Sequence, residues 1–247
     1  MPRNAMAHLT KFISVNLKVL PWTLLNHTLV SPSFAQLVYR YSYKRVQVRI
    51  MPFSTDANWP QGLLDIFHIN RNRNAPLESR YYGPYDRLFN YAVIEGSFTF
   101  FLAPQTATDE NSRDAVDLFV VFLVIFNQNQ QPVLIAAIKD DNWANEPDKR
   151  QRADTQMRQR YDQMLLNCPI PRLYGLSLLG TSLRIYIGDK VTGVVAPDFV
   201  DRPSAHRVLP PDFLEGEWDL DILSPEGLVA MQEIVAYIKA ESANVVA

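Results

Sequence analysis

An acid and a lysine bracket the most apolar stretch of this sequence. Asp117 stands at the head of nine consecutive apolar residues, Leu118 to Phe126, and Lys139 closes the next apolar run twenty-two residues later. If both runs are strands of one sheet, a carboxylate and an ammonium meet at its rim, where a cation can be held and developing negative charge stabilised. A second group follows. Lys149, Arg152, Gln156 and Arg160 recur at three- and four-residue intervals, which is one stripe of a helix and suits backbone phosphates. The competing reading is a solvated helix face, partly neutralised by Asp148, Asp154 and Asp162.

Other chemistries fit poorly. Gly175-Leu176-Ser177-Leu178-Leu179-Gly180 is one residue too long for a nucleophile elbow, and it leads into a strand where such an elbow needs a helix. Nine glycines form neither a P-loop nor a dinucleotide fingerprint. One cysteine, Cys168, and four scattered histidines supply neither a disulfide within the chain nor a structural zinc set. That cysteine usage fits a reducing, intracellular compartment. The aromatic cluster Tyr81, Tyr82, Tyr85, Phe89 and Tyr91 is better read as core than as a base-stacking surface.

Composition bounds the partners. The 247 residues are 47% hydrophobic and 20% charged, ordinary values for a globular chain. No apolar run approaches the roughly twenty residues of a membrane helix, so no membrane partner is expected. The first 55 residues hold seven of the 24 Lys and Arg and no acid. The remaining 17 basic residues face all 26 acids. An acid-free basic leader has the composition of a mitochondrial transit peptide, or of a basic arm outside the folded domain. The acidic body counts against broad electrostatic capture of DNA, so a nucleic-acid site has to be a confined basic patch.

The elements that position these residues begin near Tyr81. Residues 1–80 read as an N-terminal extension without firm elements, and 81–247 as the α/β domain. A short helix over 85–94 precedes strands over 98–103, 116–126 and 132–139. The last two are continuously apolar, which predicts strands covered on both faces. Ala153, Met157, Tyr161, Met164 and Leu165 then form the apolar stripe of a helix over 149–166, stopped by Pro169 and Pro171. Strands over 172–178 and 182–187 make a hairpin about Gly180-Thr181. A Pro-rich segment over 197–211 leads to a last helix from Ser224-Pro225 to about Lys239.

This order, α-β-β-β-α-β-β, with Asp117 and Lys139 on adjacent central strands, resembles the PD-(D/E)xK nuclease-like superfamily. It also looks like a group of mushroom (basidiomycete-type) proteins carrying that core. The residues that carry the likeness are Tyr82-Gly83-Pro84-Tyr85, Asp117-Leu118, Pro132-Val133, Ala153 to Arg158, Cys168 to Pro171, Gly175 to Thr181, and Trp218 to Asp221. They span roughly residues 81–240. The resemblance implies a central mixed sheet flanked by helices, a magnesium-dependent phosphodiesterase chemistry, Asp117 as metal ligand, and Lys139 at the attacking water. It also implies nucleic-acid contacts from Lys149, Arg152, Gln156 and Arg160. Cutting a phosphodiester needs a hard cation to lower the water pKa and neutralise charge, and magnesium takes carboxylate oxygens.

One position departs from the pattern. Ala137 stands two residues before Lys139, on the same strand face, where the family carries Glu or Asp. Asp141 replaces it as metal ligand if the strand continues, Glu95 if it approaches from the side; Asp154 is a more distant candidate. The expected function is therefore a catalytically degenerate nuclease-like domain, a pseudoenzyme, binding nucleic acid or a protein partner. The alternatives are an active magnesium nuclease with a substitute carboxylate, and a purely structural or interaction domain.

Overall fold

The computed structural model describes residues 53–72, 79–95, 99–105, 118–124, 130–204 and 207–246. Its helices are α1 (Gln61–Arg71), α2 (Ser79–Phe89), α3 (Pro147–Met164) and α4 (Pro225–Val246). The strands are β1 (Phe100–Gln105), β2 (Leu118–Val124), β3 (Gln130–Lys139), β4 (Arg172–Leu179), β5 (Ser182–Asp189), β6 (Val195–Ala196) and β7 (Leu220–Asp221). They form one mixed sheet in the order β1-β2-β3-β4-β5-β6, with β7 also on β5. Among the described residues only the β3–β4 pair is parallel, and α3 makes the crossover between them. The expected mixed sheet with flanking helices is what the chain forms, and α1, β6 and β7 add to the expected elements.

The apolar run of β3 is buried because helices cover both faces of the sheet: Val133 to Ile138 are all at most 5% exposed. One face carries α3. A Cβ on Gly175 of β4 would lie 2.7 Å from Tyr161 Oη and 2.9 Å from Met157 Sδ, so only glycine lets the helix approach this closely. On the other face, the neighbouring Tyr174 meets Tyr237 of α4 edge to face at 5.5 Å. Alternation of side chains along β4 therefore assigns odd positions to α3 and even positions to α4.

Gly180 makes the β4–β5 turn at φ +65°, the left-handed conformation that favours glycine, with Thr181 beside it. Pro147 occupies the first turn of α3. Ser224 begins α4, its Oγ accepting from Gly227 N–H at 3.0 Å. The last helix runs to Val246, beyond the expected end at 239, because Ala-Glu-Ser-Ala-Asn-Val-Val contains no breaker.

The domain starts earlier than residue 81. The compact unit covers Met51–Ala247, and Phe53, Trp59, Leu63 and Phe67 lie in the same buried cluster as Tyr81, Tyr85 and Phe89. Gln232 of α4 donates to the carbonyls of Phe53 and Asp56, and Trp59 Nε1 donates to Ile222 O. A helix, α1, forms between Pro60 and Asn72, in the stretch expected to lack firm elements. None of the helices among the described residues is long and apolar enough to cross a membrane.

Candidate functional site

β3 ends at Lys139, 4% exposed, whose ammonium lies 4.9 Å from the centre of the Trp143 ring. Trp143 belongs to a single 3-10 turn, Asp141–Asn145, between β3 and α3. The Arg152 guanidinium from α3 approaches the same ring at 5.8 Å. Two cations on one indole make a confined basic spot, each attracted to the ring's negative face.

β2 begins with Leu118 opposite Ala137, and Ala137 is opposite Ser177 of β4. The head of β2 and the end of β3 thus share one rim. Asp117 itself lies outside the described residues. Ala137 and Lys139 share the odd-numbered face of β4, the α3 side, so the methyl of Ala137 takes the place from which an acid would act beside Lys139. Ser177 Oγ on this face accepts from Trp218 Nε1 at 3.2 Å.

The substitute carboxylates go elsewhere. The strand stops at Lys139 and does not continue to Asp141, which opens the 3-10 turn. Asp141 accepts from Tyr81 Oη at 2.7 and 2.6 Å and from Arg80 Nη2 at 3.0 Å, with Arg71 Nε at 3.8 Å. Burial first, and the bond to Asp141 next, hold the Tyr81 phenol above its usual range. Glu95 accepts from Phe53 N–H at 2.6 Å and from Lys239 Nζ at 2.5 Å, so it ties the first segment to α4 and does not flank Lys139. Among the described residues, no three His, Cys, Asp or Glu side chains gather as a metal-binding group.

Helix α3 has two charged flanks either side of its Ala153-Met157-Tyr161 stripe. One leans on β5. There Asp154, 2% exposed, accepts from Arg184 Nη1 at 3.0 Å, Arg158 Nε at 2.9 Å and Tyr186 Oη at 2.9 Å. Arg184 also pairs with Glu217 at 3.0 Å. Desolvation, followed by the Asp154 charge, pushes the Tyr186 phenol upward. The other flank carries Lys149, Arg152, Gln156 and Arg160. Lys149 pairs with Glu146 at 2.8 Å. Gln156 and Arg160 are buried where a solvated stripe was expected; Arg160 donates to the neutral amide of Gln163 at 3.0 Å. Desolvation lowers the Arg160 pKa, and Gln156 Oε1 is a buried acceptor with no hydrogen-bond partner among the described residues.

Lys139 and Arg152, expected to lie together, both meet Trp143, whereas Asp154, the more distant candidate, lies on the opposite flank of α3. Sequence reasoning missed Trp143, Arg80, Tyr81, Arg184 and Glu217. Trp143 sits in an Asp-Asp-Asn-Trp turn whose composition signals a loop, and no periodicity marks its ring as the partner of two cations. No family model, curated protein or solved structure matches the chain.

Proposed function

We propose that this chain is a catalytically degenerate, PD-(D/E)xK nuclease-like domain that binds nucleic acid through the Lys139–Trp143–Arg152 rim. The carrying observation is the pair of cations against one indole at the end of the strand expected to hold the catalytic lysine. Arg152, exposed beside the ring, can reach a phosphate while the buried Lys139 adds positive charge behind it, and the aromatic ring suits a nucleobase. The kinship is supported by the element order and by the parallel pair that follows the α3 crossover.

The described residues do not fit magnesium. Ala137 offers no oxygen, and Glu95, Asp141 and Asp154 each already accept from cationic groups. A metal held by oxygen ligands needs carboxylates free to face it, and these three are committed to their cations.

The test pairs fluorescence anisotropy on labelled single-stranded DNA, duplex DNA and RNA with a plasmid-nicking assay in magnesium and manganese. Expected are salt-dependent binding and no metal-dependent nicking. Arg152→Glu weakens binding about tenfold, and removing this one phosphate contact flattens the slope of log affinity against log salt by about one. Equal binding by wild type and Arg152→Glu sinks the proposed rim. Nicking that disappears in Asp117→Ala shows instead an active nuclease with a substitute acid.

A further inference from the structure

Lys139 is followed at once by two acids, Asp140 and Asp141. Left uncovered, two carboxylates on the residues next to a phosphate-binding lysine would repel the phosphates it attracts. Both lie well within the Debye length of about 8 Å at physiological salt. They are not uncovered. One guanidinium nitrogen, Arg80 Nη2 of α2, lies 2.7 Å from Asp140 Oδ2 and 3.0 Å from Asp141 Oδ2.

The surroundings fix this geometry. Asp140 Oδ1 caps the 3-10 turn by accepting from Asn142 N–H at 3.2 Å. Tyr81, the next residue of α2, donates to the Asp141 carboxylate. Gly180 completes the pocket: a Cβ there would lie 1.5 Å from Asp141 Oδ1, so the carboxylate occupies the space a side chain would fill. The Arg80 side chain is only 16% exposed, and its buried Nε has no hydrogen-bond partner among the described residues. Such an orphaned donor costs stability, yet the arginine stays where it covers both acids.

We propose that Arg80 is the positioning residue of the Lys139–Trp143–Arg152 rim, drawing the Asp140–Asp141 pair toward α2 and, with Arg71 3.8 Å from Asp141, offsetting its charge so that the rim attracts a polyanion. The inference rests on the nucleic-acid reading above. Arg80 touches no ligand; it acts through the two carboxylates and the turn they begin, which carries Trp143.

The experiment measures anisotropy of a labelled single-stranded DNA with wild type, Arg80→Gln, Arg80→Lys and the triple variant Arg80→Gln/Asp140→Asn/Asp141→Asn, across a salt series. Far-UV circular dichroism and thermal unfolding accompany each variant. Arg80→Gln is expected to lose about tenfold in affinity at low salt, a deficit that narrows as screening rises. The triple variant regains affinity to within about twofold of wild type, because the acids that caused the loss are gone. Arg80→Lys, which keeps one cation, stays near wild type even if Arg80→Gln unfolds.

A triple variant as weak as Arg80→Gln, or a deficit independent of salt, makes Arg80 merely structural and overturns the inference. So does Arg80→Gln binding like wild type. In each of those cases a loss in Arg152→Glu leaves the nucleic-acid reading standing. Absence of binding by the wild type removes both.

Discussion

The two flanks of α3 treat their charge in opposite ways. On the β5 flank, Asp154 takes three donors, and Arg184 answers to two carboxylates, so positive and negative charge are balanced inside the fold. On the β3 flank, the Arg160 guanidinium is buried against an amide, and Arg152 leans on an indole shared with Lys139. Burying a charge is tolerable when it is paired and hydrogen-bonded. The balanced flank therefore holds the helix to the sheet, whereas the β3 flank brings Arg152 to the indole it shares with Lys139.

The largest effect should come from breaking the balanced flank. Asp154→Ala leaves two guanidinium groups and a tyrosine hydroxyl in a buried space without their shared acceptor. Removing one partner of a buried ion pair costs about 3–5 kcal/mol. Urea denaturation followed by tryptophan fluorescence measures it, and a loss below about 1 kcal/mol would dissolve the distinction between the flanks. Arg158→Met is a milder break. It removes one of the donors to Asp154 and the bond from Nη2 to Pro197 O at 2.7 Å, while Arg184 and Tyr186 keep the carboxylate satisfied. A cost of about 1–2 kcal/mol is expected, since hydrogen bonds to charged groups contribute about that much.

The sequence made the scaffold legible and hid the pairing. Val133 to Ile138 announce a doubly covered strand because every position is apolar, and the Ala153-Met157-Tyr161 stripe announces the face of α3 that meets the sheet. Gly180-Thr181 announces the hairpin because the turn needs φ +65°. Charges offer no such rule. Two of the three partners of Asp154 stand 30 and 32 residues along the chain, the carbonyl taken by Arg150 Nε 63 residues along, and Lys239 is 144 residues from Glu95. Spacing on one helix cannot say which distant element supplies the counter-charge. For the same reason Asp154 and Gln156, two residues apart, fell to opposite flanks, and Glu95 and Asp141 joined ion pairs with α4 and α2 instead of facing Lys139.

The smallest stability change is expected on the β3 flank, and there the comparison is sharpest. Arg160 is 8% exposed and, among the described residues, faces no carboxylate within ion-pair distance; its one bond is to Gln163 Oε1. Desolvation already lowers its pKa. Replacing it with methionine keeps a long flexible stem and removes the burden of an unmatched buried cation. Arg160→Met should therefore unfold within about 0.5 kcal/mol of wild type, or slightly higher, under the denaturation that strips about 3–5 kcal/mol from Asp154→Ala. Its affinity for labelled DNA should change little, because Arg160 stands about 12 Å along α3 from Arg152, outside the rim. A loss of more than about 2 kcal/mol would mean that Arg160 is matched as thoroughly as Arg184, and the two flanks would then be the same device built twice.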